Sequence, residues 1–126
     1  MNNLKKGPLH GIKVLDWTMW QFGPVSTMMM ADLGAEVIKI ESLDGDHGRQ
    51  FGQVSGVASN AYDGLSSHYF EVLNRQKSGI AVNLKDPRGQ EIVHQLTNQM
   101  KTKKAGYHLY LYFHTIHPLR TIFVLQ

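Results

Sequence analysis

The sequence predicts an α/β fold, a Rossmann-like open sheet built from βαβ units, and three neighbouring stretches carry that prediction. Residues 12–17 form a short, mostly apolar run bounded by Gly11 and a polar turn. Gly23 and Pro24 then open a helical stretch, and a second short apolar run covers Glu36–Glu41. Two strands joined by one helix within about 30 residues make a βαβ unit, whose crossover is expected to be right-handed.

The first predicted strand is apolar at nearly every position, as parallel strands buried on both faces are. In the helix that follows, Pro24 suits the first helical position, where its missing N–H has no partner to lose. Gly34 is placed to end this helix in a left-handed conformation. The helical spacing puts four apolar residues on the face predicted to turn inward: Val25, Met28, Met29 and Leu33.

The carboxyl ends of these strands are where a ligand is expected, since open α/β sheets bind ligands there. Next to the helix start, that edge carries Asp16, Trp17, Trp20 and Gln21. A helix N-terminus attracts anions through its free N–H groups and its dipole, so the expected ligand carries phosphates or a carboxylate. The alternative is that both tryptophans are only core residues and that Gln21 is only a loop residue.

Composition excludes several classes of protein. The 126 residues include no cysteine, which excludes disulfide bonds, thiolate zinc sites and a cysteine nucleophile. Residues 1–100 hold nine Lys or Arg and ten Asp or Glu, whereas residues 101–126 hold four basic residues and no acidic one. The net charge of +3 therefore does not indicate a nucleic-acid surface. With no signal-like apolar core at the start and no apolar run near ~20 residues, a cytoplasmic protein without a membrane partner is expected.

Residues 42–64 are rich in Gly, Ser, Asp and Asn and are predicted to form a long loop. Asp46, His47 and Arg49 suggest a metal or phosphate site there, but no third ligand converges on them, so no metal is expected. Arg49 is a candidate anion contact, and the alternative is a solvated loop arginine. Three later histidines raise the question of a metal again, without acidic or cysteine neighbours: His108, His114 and His117.

A short helix is predicted over residues 66–74, with Ser66 or Ser67 as its cap. Its inward side chains are expected to be Tyr69, Phe70 and Leu73. Residues 78–84 then read as a third strand, because apolar side chains recur at every second position.

The last predicted helix begins at Pro87, with Asp86 as its N-cap, and runs to Met100. The face expected to be buried contains Ile92, Val93, Leu96 and Met100. Lys85 lies between the third strand and this helix, and therefore on the expected ligand edge. A lysine at that position is a natural phosphate contact.

Two motif-rich stretches stand out in the chain. The first is PLHGIKVLDWT, followed by QFGP and MMADLGAEVIKIE, and the second is NRQKSGIAVNLKDPRG. Both resemble the family III CoA-transferases, which include formyl-CoA transferase and carnitine CoA-transferase and have α-methylacyl-CoA racemase as a relative. The resemblance covers residues 8–100. Two positions depart from it: Ser78 stands where members usually carry Arg, and Asn83 where many carry Asp.

The resemblance implies an enzyme that moves CoA between carboxylic acids, with acyl-CoA and a small carboxylic acid as substrates and no tightly bound cofactor. The residues that inherit a CoA contact are Gln21 and Phe22 near the thioester end, Val82, Asn83, Leu84 and Lys85 along the third strand, and more weakly Ser42 and Arg49. Ser42 stands where formyl-CoA transferase carries a basic residue. Full-length relatives are interlocked homodimers.

The family nucleophile is an Asp that forms anhydride and aspartyl-thioester intermediates. It is expected beyond the end of this chain, so no catalytic residue is assigned and the chain alone is expected to be inactive. Asp16, Asp32 and Asp46 match other positions. Residues 1–100 are predicted to be the incomplete N-terminal part of a larger CoA-transferase fold. Residues 101–126 are predicted to be a divergent tail of separate origin, such as a shifted frame or a mispredicted gene end.

Three alternatives remain open. One is a non-catalytic CoA-binding or nucleotide-binding fragment, or a fragment with no function, and another is an acyl-CoA racemase relative. The third is an NAD-binding Rossmann domain, in which Glu41 would hold a ribose. No G-x-G-x-x-G motif follows the first strand and no P-loop motif occurs, which disfavours the third. Binding to CoA in competition with NAD separates these alternatives.

Overall fold

The computed structural model describes residues 7–53, 67–100, 108–112 and 124–125. In chain order the elements are β1 (Lys13–Trp17), α1 (Phe22–Asp32), β2 (Glu36–Glu41), a 3-10 helix (His47–Gln53), α2 (His68–Asn74), β3 (Lys77–Ala81), α3 (Pro87–Met100), β4 (His108–Tyr112) and β5 (Val124–Leu125). The strands form one sheet in the order β3-β2-β1-β4-β5. All neighbours are parallel except β4 and β5. The predicted α/β fold with a βαβ opening is confirmed.

Helices cover both faces of the sheet, which explains why β1 and β2 are apolar on both faces. Beside α1, one apolar cluster consists of Val14, Ala31, Ala35 and Val37. On the opposite face, the other consists of Leu15, Ile40 and Met100 of α3. Because successive strand residues point to opposite faces, the next inward positions on the α1 face are Asp16 and Lys39. Both are buried, so this face changes from apolar to charged towards the carboxyl ends of the strands.

The inward face of α1 differs from the predicted one. The buried residues are Gly23, Pro24, Thr27, Met28 and Ala31, whereas Met29 is 56% exposed and Leu33 is also exposed. The prediction counted only large apolar side chains. Met28 is buried as predicted, but the other buried positions of the helix are small residues and Pro24, and Thr27 Oγ1 donates a hydrogen bond to Asp16 Oδ2 at 2.7 Å.

The ends of α1 are close to the predicted ones. The helix begins at Phe22, so Pro24 is its third residue and not its first. Gly34 has φ +96°, and its N–H donates to the carbonyl of Ala31 at 2.9 Å. The left-handed helix end predicted at Gly34 is therefore confirmed.

The second helix and third strand are also found, with one change of boundary. Ser67 caps α2, because its side chain accepts the N–H of Phe70 at 3.1 Å. Strand β3 ends at Ala81 and not at the predicted residue 84. The reason is that Asn83 Oδ1 accepts the N–H of Lys85 at 3.1 Å, which bends the chain into a side-chain-stabilised turn.

Helix α3 has the predicted bounds, and Asp86 Oδ1 accepts the N–H of Arg88 at its start. Ile92, however, is exposed, so the prediction that it is buried is wrong. The predicted long loop contains the 3-10 helix. Its remaining residues 54–64 lie outside the described residues, as do Ser66, His114 and His117.

Residues 108–112 pair in parallel with β1, and residues 124–125 pair with them in antiparallel fashion. Part of the predicted tail therefore extends the sheet on the side of β1 away from β2. The division of the chain into residues 1–100 and a tail of separate origin stays a prediction.

Candidate functional site

The parallel pairing of β1, β2 and β3 brings their carboxyl ends to one edge of the sheet, with β2 in the middle. Three candidate stretches follow those ends. Gln21 and Phe22 come after β1, Ser42 follows β2 directly, and residues 82–85 follow β3. The topology therefore places the predicted CoA-contacting residues along a single edge, which is where open α/β sheets bind ligands.

The start of α1 forms one end of this edge. Gln21 is exposed, and Phe22 is 85% exposed although its side chain is large and apolar. The side chain of Gln21, the N-cap residue, makes no capping hydrogen bond to the helix, and the first turn contains no acidic residue. The partial positive charge of the helix N-terminus is therefore not neutralised by a side chain of its own first turn.

Residues 82–85 form the other end of the edge, and α3 holds them in place. Gln90 Nε2 donates to the carbonyl of Leu84 at 2.9 Å. A Cβ added to Gly89 would lie only 2.1 Å from the carbonyl oxygen of Asn83, so glycine is needed for this close approach. Asn83 and Lys85 are exposed, whereas the Val82 side chain is buried. A contact of Val82 with a ligand at this edge is thus limited to its backbone.

The two weaker candidates already have partners within the protein. Ser42 is exposed and donates from its hydroxyl to the carbonyl of Gly45 at 3.3 Å. Arg49 holds the Glu41 carboxylate with two hydrogen bonds, from Nε at 2.8 Å and from Nη2 at 2.7 Å. Its guanidinium carbon also lies 3.8 Å from the centre of the Phe70 ring. Arg49 is therefore not a solvated loop arginine, because it fastens the 3-10 helix to β2 and α2.

A buried ion pair at the end of β1 was not foreseen from the sequence. Lys77 Nζ donates to Asp16 Oδ2 and to the carbonyl of Pro24, both at 3.0 Å, and to Asn74 Oδ1 at 2.9 Å. The two charged side chains are 0% and 1% exposed. Asp16 also accepts hydrogen bonds from the hydroxyls of Thr18 and Thr27.

Opposing effects act on the pKa values of this pair. Burial raises the pKa of Asp16, but the Lys77 and Lys39 ammonium groups and the two threonine hydroxyls outweigh it, so the pKa lies below its ordinary value. For Lys77, burial lowers the pKa and the nearby Asp16 carboxylate opposes that shift only in part. The lowered pKa of Asp16 keeps its carboxylate charged at neutral pH.

A second buried pair joins β2 to the loop that follows it. Lys39 Nζ lies 2.9 Å from Asp46 Oδ2, an ion pair without hydrogen-bond geometry, and donates a hydrogen bond to the carbonyl of Thr18 at 2.8 Å. Asp46 Oδ1 accepts from the N–H of Gly48 at 2.8 Å and of Trp20 at 3.4 Å. Asp46 is thus a structural residue and not an exposed ligand of a metal or phosphate.

A signal for both pairs was present in the sequence. Lys39 and Glu41 alternate with apolar residues in β2, a strand otherwise buried on both faces, and buried charges require partners. For Asp16, the buried charge of β1, the Asn74-Arg75-x-Lys77 motif supplies the partner, Lys77. Arg75 pairs with Asp32 at the end of α1. This motif therefore connects α2 and β3 to α1 and β1.

The arrangement favours binding of an anionic ligand over chemistry by its own carboxylates. Asp16 and Asp46 are buried in ion pairs, and Glu41 is held by Arg49. Among the described residues, no three side chains of His, Asp or Glu come together as a metal site would need.

Within the same segments, every helix is too short or too polar to cross a lipid bilayer.

Comparison with known proteins relates this chain to CoA-transferases. Residues 9–100 match the sequence model of CoA-transferase family III. The chain is 45% identical over 97 residues to succinyl-CoA:glutarate CoA-transferase from Homo sapiens, which covers 76% of this chain and 20% of that protein. It is 37% identical over 101 residues to formyl-CoA:oxalate CoA-transferase from Escherichia coli, covering 80% of this chain and 23% of the relative.

Among solved structures, the chain is similar to a CAIB/BAIF family protein from Brucella suis. The TM-score is 0.65 at 33% sequence identity, over 75% of this chain and 24% of the other. The chain thus spans only about a fifth to a quarter of the length of the relatives that it matches.

Proposed function

Because this chain belongs to CoA-transferase family III, we propose that the protein moves coenzyme A from an acyl-CoA donor to a carboxylic acid acceptor. The observation that carries the proposal is the family match over residues 9–100, which include every residue of the candidate edge. Two relatives are named for succinyl-CoA with glutarate and for formyl-CoA with oxalate. We therefore place small carboxylic acids, free or as CoA thioesters, among its substrates.

In this proposal the edge of the sheet binds the CoA moiety. Lys85 contacts a phosphate as an exposed point charge beside the α3 start. Gln21 and Phe22 lie near the thioester, where the uncapped start of α1 attracts a negatively polarised oxygen. Asn83 and Leu84 line the path between them, with Val82 contributing its backbone. CoA acts as a substrate here and not as a resident cofactor.

Asp16 and Asp46 are not proposed as nucleophiles. A covalent route needs an exposed carboxylate that can attack the thioester carbonyl. Asp16 is fully buried against Lys77, and Asp46 is held by Lys39 and by two backbone N–H groups. In both cases attack would first require breaking a buried ion pair. The proposal includes a homodimeric enzyme, as the resemblance implies, and a cytoplasmic location.

Retention on immobilised CoA tests the binding part of the proposal. The 126-residue chain is applied to CoA-agarose at moderate salt and eluted with CoA, with NAD at the same concentration, or with salt alone. Elution by CoA but not by NAD is expected, because no dinucleotide motif follows β1. Elution by NAD as readily as by CoA would favour the Rossmann alternative. Failure to bind at all would contradict the assignment of this edge to CoA.

A further inference from the structure

Trp20 has an unusual backbone conformation directly before the proposed thioester contacts. Its φ is +71°, in the left-handed region that large L side chains rarely adopt. The residue immediately precedes Gln21 and Phe22. Backbone strain of this kind persists only where the surroundings fix it, so the neighbours that hold Trp20 decide where the next two residues point.

The Lys39–Asp46 pair holds this segment at two points. Lys39 donates to the carbonyl of Thr18 at 2.8 Å, and Asp46 accepts the N–H of Trp20 through a long hydrogen bond of 3.4 Å. Both charged side chains are only 2% exposed. The loop after β1 is thus attached to β2 and to the loop after β2 through one buried ion pair.

Asp46 is itself fixed in position. Its own N–H donates to Glu41 Oε2 at 2.9 Å, and Arg49 clamps the same carboxylate. The Trp20 ring lies against the neighbouring His47 ring, with a centroid distance of 5.7 Å. Several contacts thus fix the position of Asp46 and of the Trp20 backbone that is bound to it.

We propose that the Lys39–Asp46 ion pair positions the segment from Trp20 to Phe22 for the thioester end of CoA. Asp46 and Lys39 act through the backbone of this loop and are positioning residues, with no contact to the substrate. Ordering the loop before the ligand arrives removes that part of the entropy loss from the binding step. The identity of the ligand rests on the proposed function, whereas the ordering of Trp20 does not.

The chain offers a local readout of this ordering, because Trp17 and Trp20 are its only tryptophans. A Trp17→Phe parent leaves Trp20 as the single fluorophore. Asp46→Asn in that parent removes the negative charge but keeps the size of the side chain. Asp44→Asn is the matched control, because Asp44 is exposed in the same loop two residues earlier.

Fluorescence anisotropy and acrylamide quenching of Trp20 are measured without ligand, and CoA titration follows. In Asp46→Asn we expect lower anisotropy, stronger quenching and unchanged far-UV circular dichroism, with Asp44→Asn like the parent. CoA binding should weaken about tenfold in Asp46→Asn, because a released loop residue must be ordered again on binding. Thermal unfolding of each variant separates this local effect from a general loss of stability.

Two results would overturn the proposal: Trp20 signals in Asp46→Asn equal to those of the parent, or a loosened Trp20 with unchanged CoA affinity. If the parent binds no CoA but Asp46→Asn loosens Trp20, the ordering role holds and the proposed function fails. If Asp46→Asn does not fold, Lys39→Met/Asp46→Asn replaces it, since removing both charges leaves no buried ion unpaired. The same Trp20 and CoA criteria then decide.

Discussion

At the scale of single residues, the buried charges are the most consequential side chains of this protein. Asp16 and Lys77 form an ion pair that is almost completely buried. Two charges taken out of water need good geometry and further hydrogen bonds to be tolerated. Asp16 receives them from two threonines, and Lys77 gives them to Asn74 and the Pro24 carbonyl. The pair therefore joins β1, α1, α2 and β3 at one point.

Replacing Asp16 with Asn should destabilise the protein by about 3–5 kcal/mol, because it leaves the Lys77 ammonium buried without a counter-charge. Urea unfolding measures the loss. Asp32→Asn is the control, since Asp32 pairs with Arg75 at the surface and should lose only ~0–1 kcal/mol. Adding Lys77→Met to Asp16→Asn should restore part of the stability. Equal stabilities for the two single variants would show that the buried ion pair contributes no more to stability than the surface pair.

Lys85 offers a residue-scale test of the ligand edge. Lys85→Ala should weaken CoA binding by ~1.5–3 kcal/mol, the usual effect of losing a hydrogen bond to a charged group. Isothermal titration with CoA at moderate salt measures the change. Lys13→Ala is a matched control, because Lys13 is paired with Glu36 at the opposite, amino-terminal edge of the sheet. Unchanged affinity in Lys85→Ala, or an equal loss in Lys13→Ala, would remove Lys85 from the site.

At the scale of elements, α3 both covers one face of the sheet and shapes the edge where the ligand is expected. Its Met100 packs on Leu15 and Ile40. Its first turns approach the segment after β3 so closely that only glycine fits at position 89. The position of the helix therefore determines the position of Asn83, through this close packing, and of Leu84, through the hydrogen bond from Gln90.

Gly89→Ala should displace the segment after β3, because the added Cβ would lie 2.1 Å from a backbone oxygen, which cannot rotate away. We expect a loss of about 1–3 kcal/mol in stability, as in other overpacked sites, together with weaker CoA binding. Urea unfolding and CoA titration measure the two effects. In Gly79→Ala the added Cβ would lie 3.9 Å from Glu41 Oε1, an ordinary van der Waals distance, so this control should stay within about 0.5 kcal/mol of the parent. Identical behaviour of both variants would refute the close-approach argument.

At the scale of the whole molecule, the sheet is apolar at its centre and charged towards the edge where the ligand is expected. Its central part is held by apolar clusters on both faces. Towards the carboxyl ends, the face beside α1 becomes a layer of buried charges that includes Asp16, Lys39 and Glu41. This layer lies directly beneath the loops that carry the proposed CoA contacts. Conditions that discharge it should therefore affect both the fold and the ligand edge.

Acid should unfold the protein through this charged layer. The pKa of Asp16 lies below its ordinary 3.8. The pKa of Glu41 lies below its ordinary 4.5, because hydrogen bonds from Arg49 and from the Asp46 N–H outweigh the effect of burial. A carboxyl with a lowered folded-state pKa stabilises the fold above its unfolded-state value, and that stabilisation is lost as the pH falls through the folded-state pKa.

Melting temperatures should thus be steady above these ordinary values and fall as the pH drops below them. In Asp16→Asn the fall should be shallower, since one of the two linked groups no longer titrates. Circular dichroism melts across the acid range measure both curves. If the melting temperature of Asp16→Asn falls as steeply with acid as that of the parent, Asp16 does not contribute to the acid sensitivity of the fold.

Local pattern was sufficient to predict β1, α1, β2, α2 and α3 and, from them, the edge where a ligand is expected. The apolar runs of β1 and β2, the Asp86-Pro87 helix start and Gly34 each act on neighbours within a few residues, so the sequence alone predicted them. For the start of α2, the sequence limited the cap to Ser66 or Ser67, and Ser67 is the one observed. The match to the transferase family was visible in the same stretches, because its motifs are contiguous in the chain.

Tertiary structure alone decided which charges are buried and what they do. Asp16 and Lys77 are 61 residues apart in the chain, and Lys39 and Thr18 are 21 apart. No periodicity links such positions, since they meet only when β1, β2 and β3 align in register. The inward face of α1 was predicted only in part, with Met28 correct, for the same reason. The Asp16–Thr27 hydrogen bond and the close contact of Gly23 with Thr18 fix the rotation of the helix, and the helical spacing of large apolar residues carries no information about either contact.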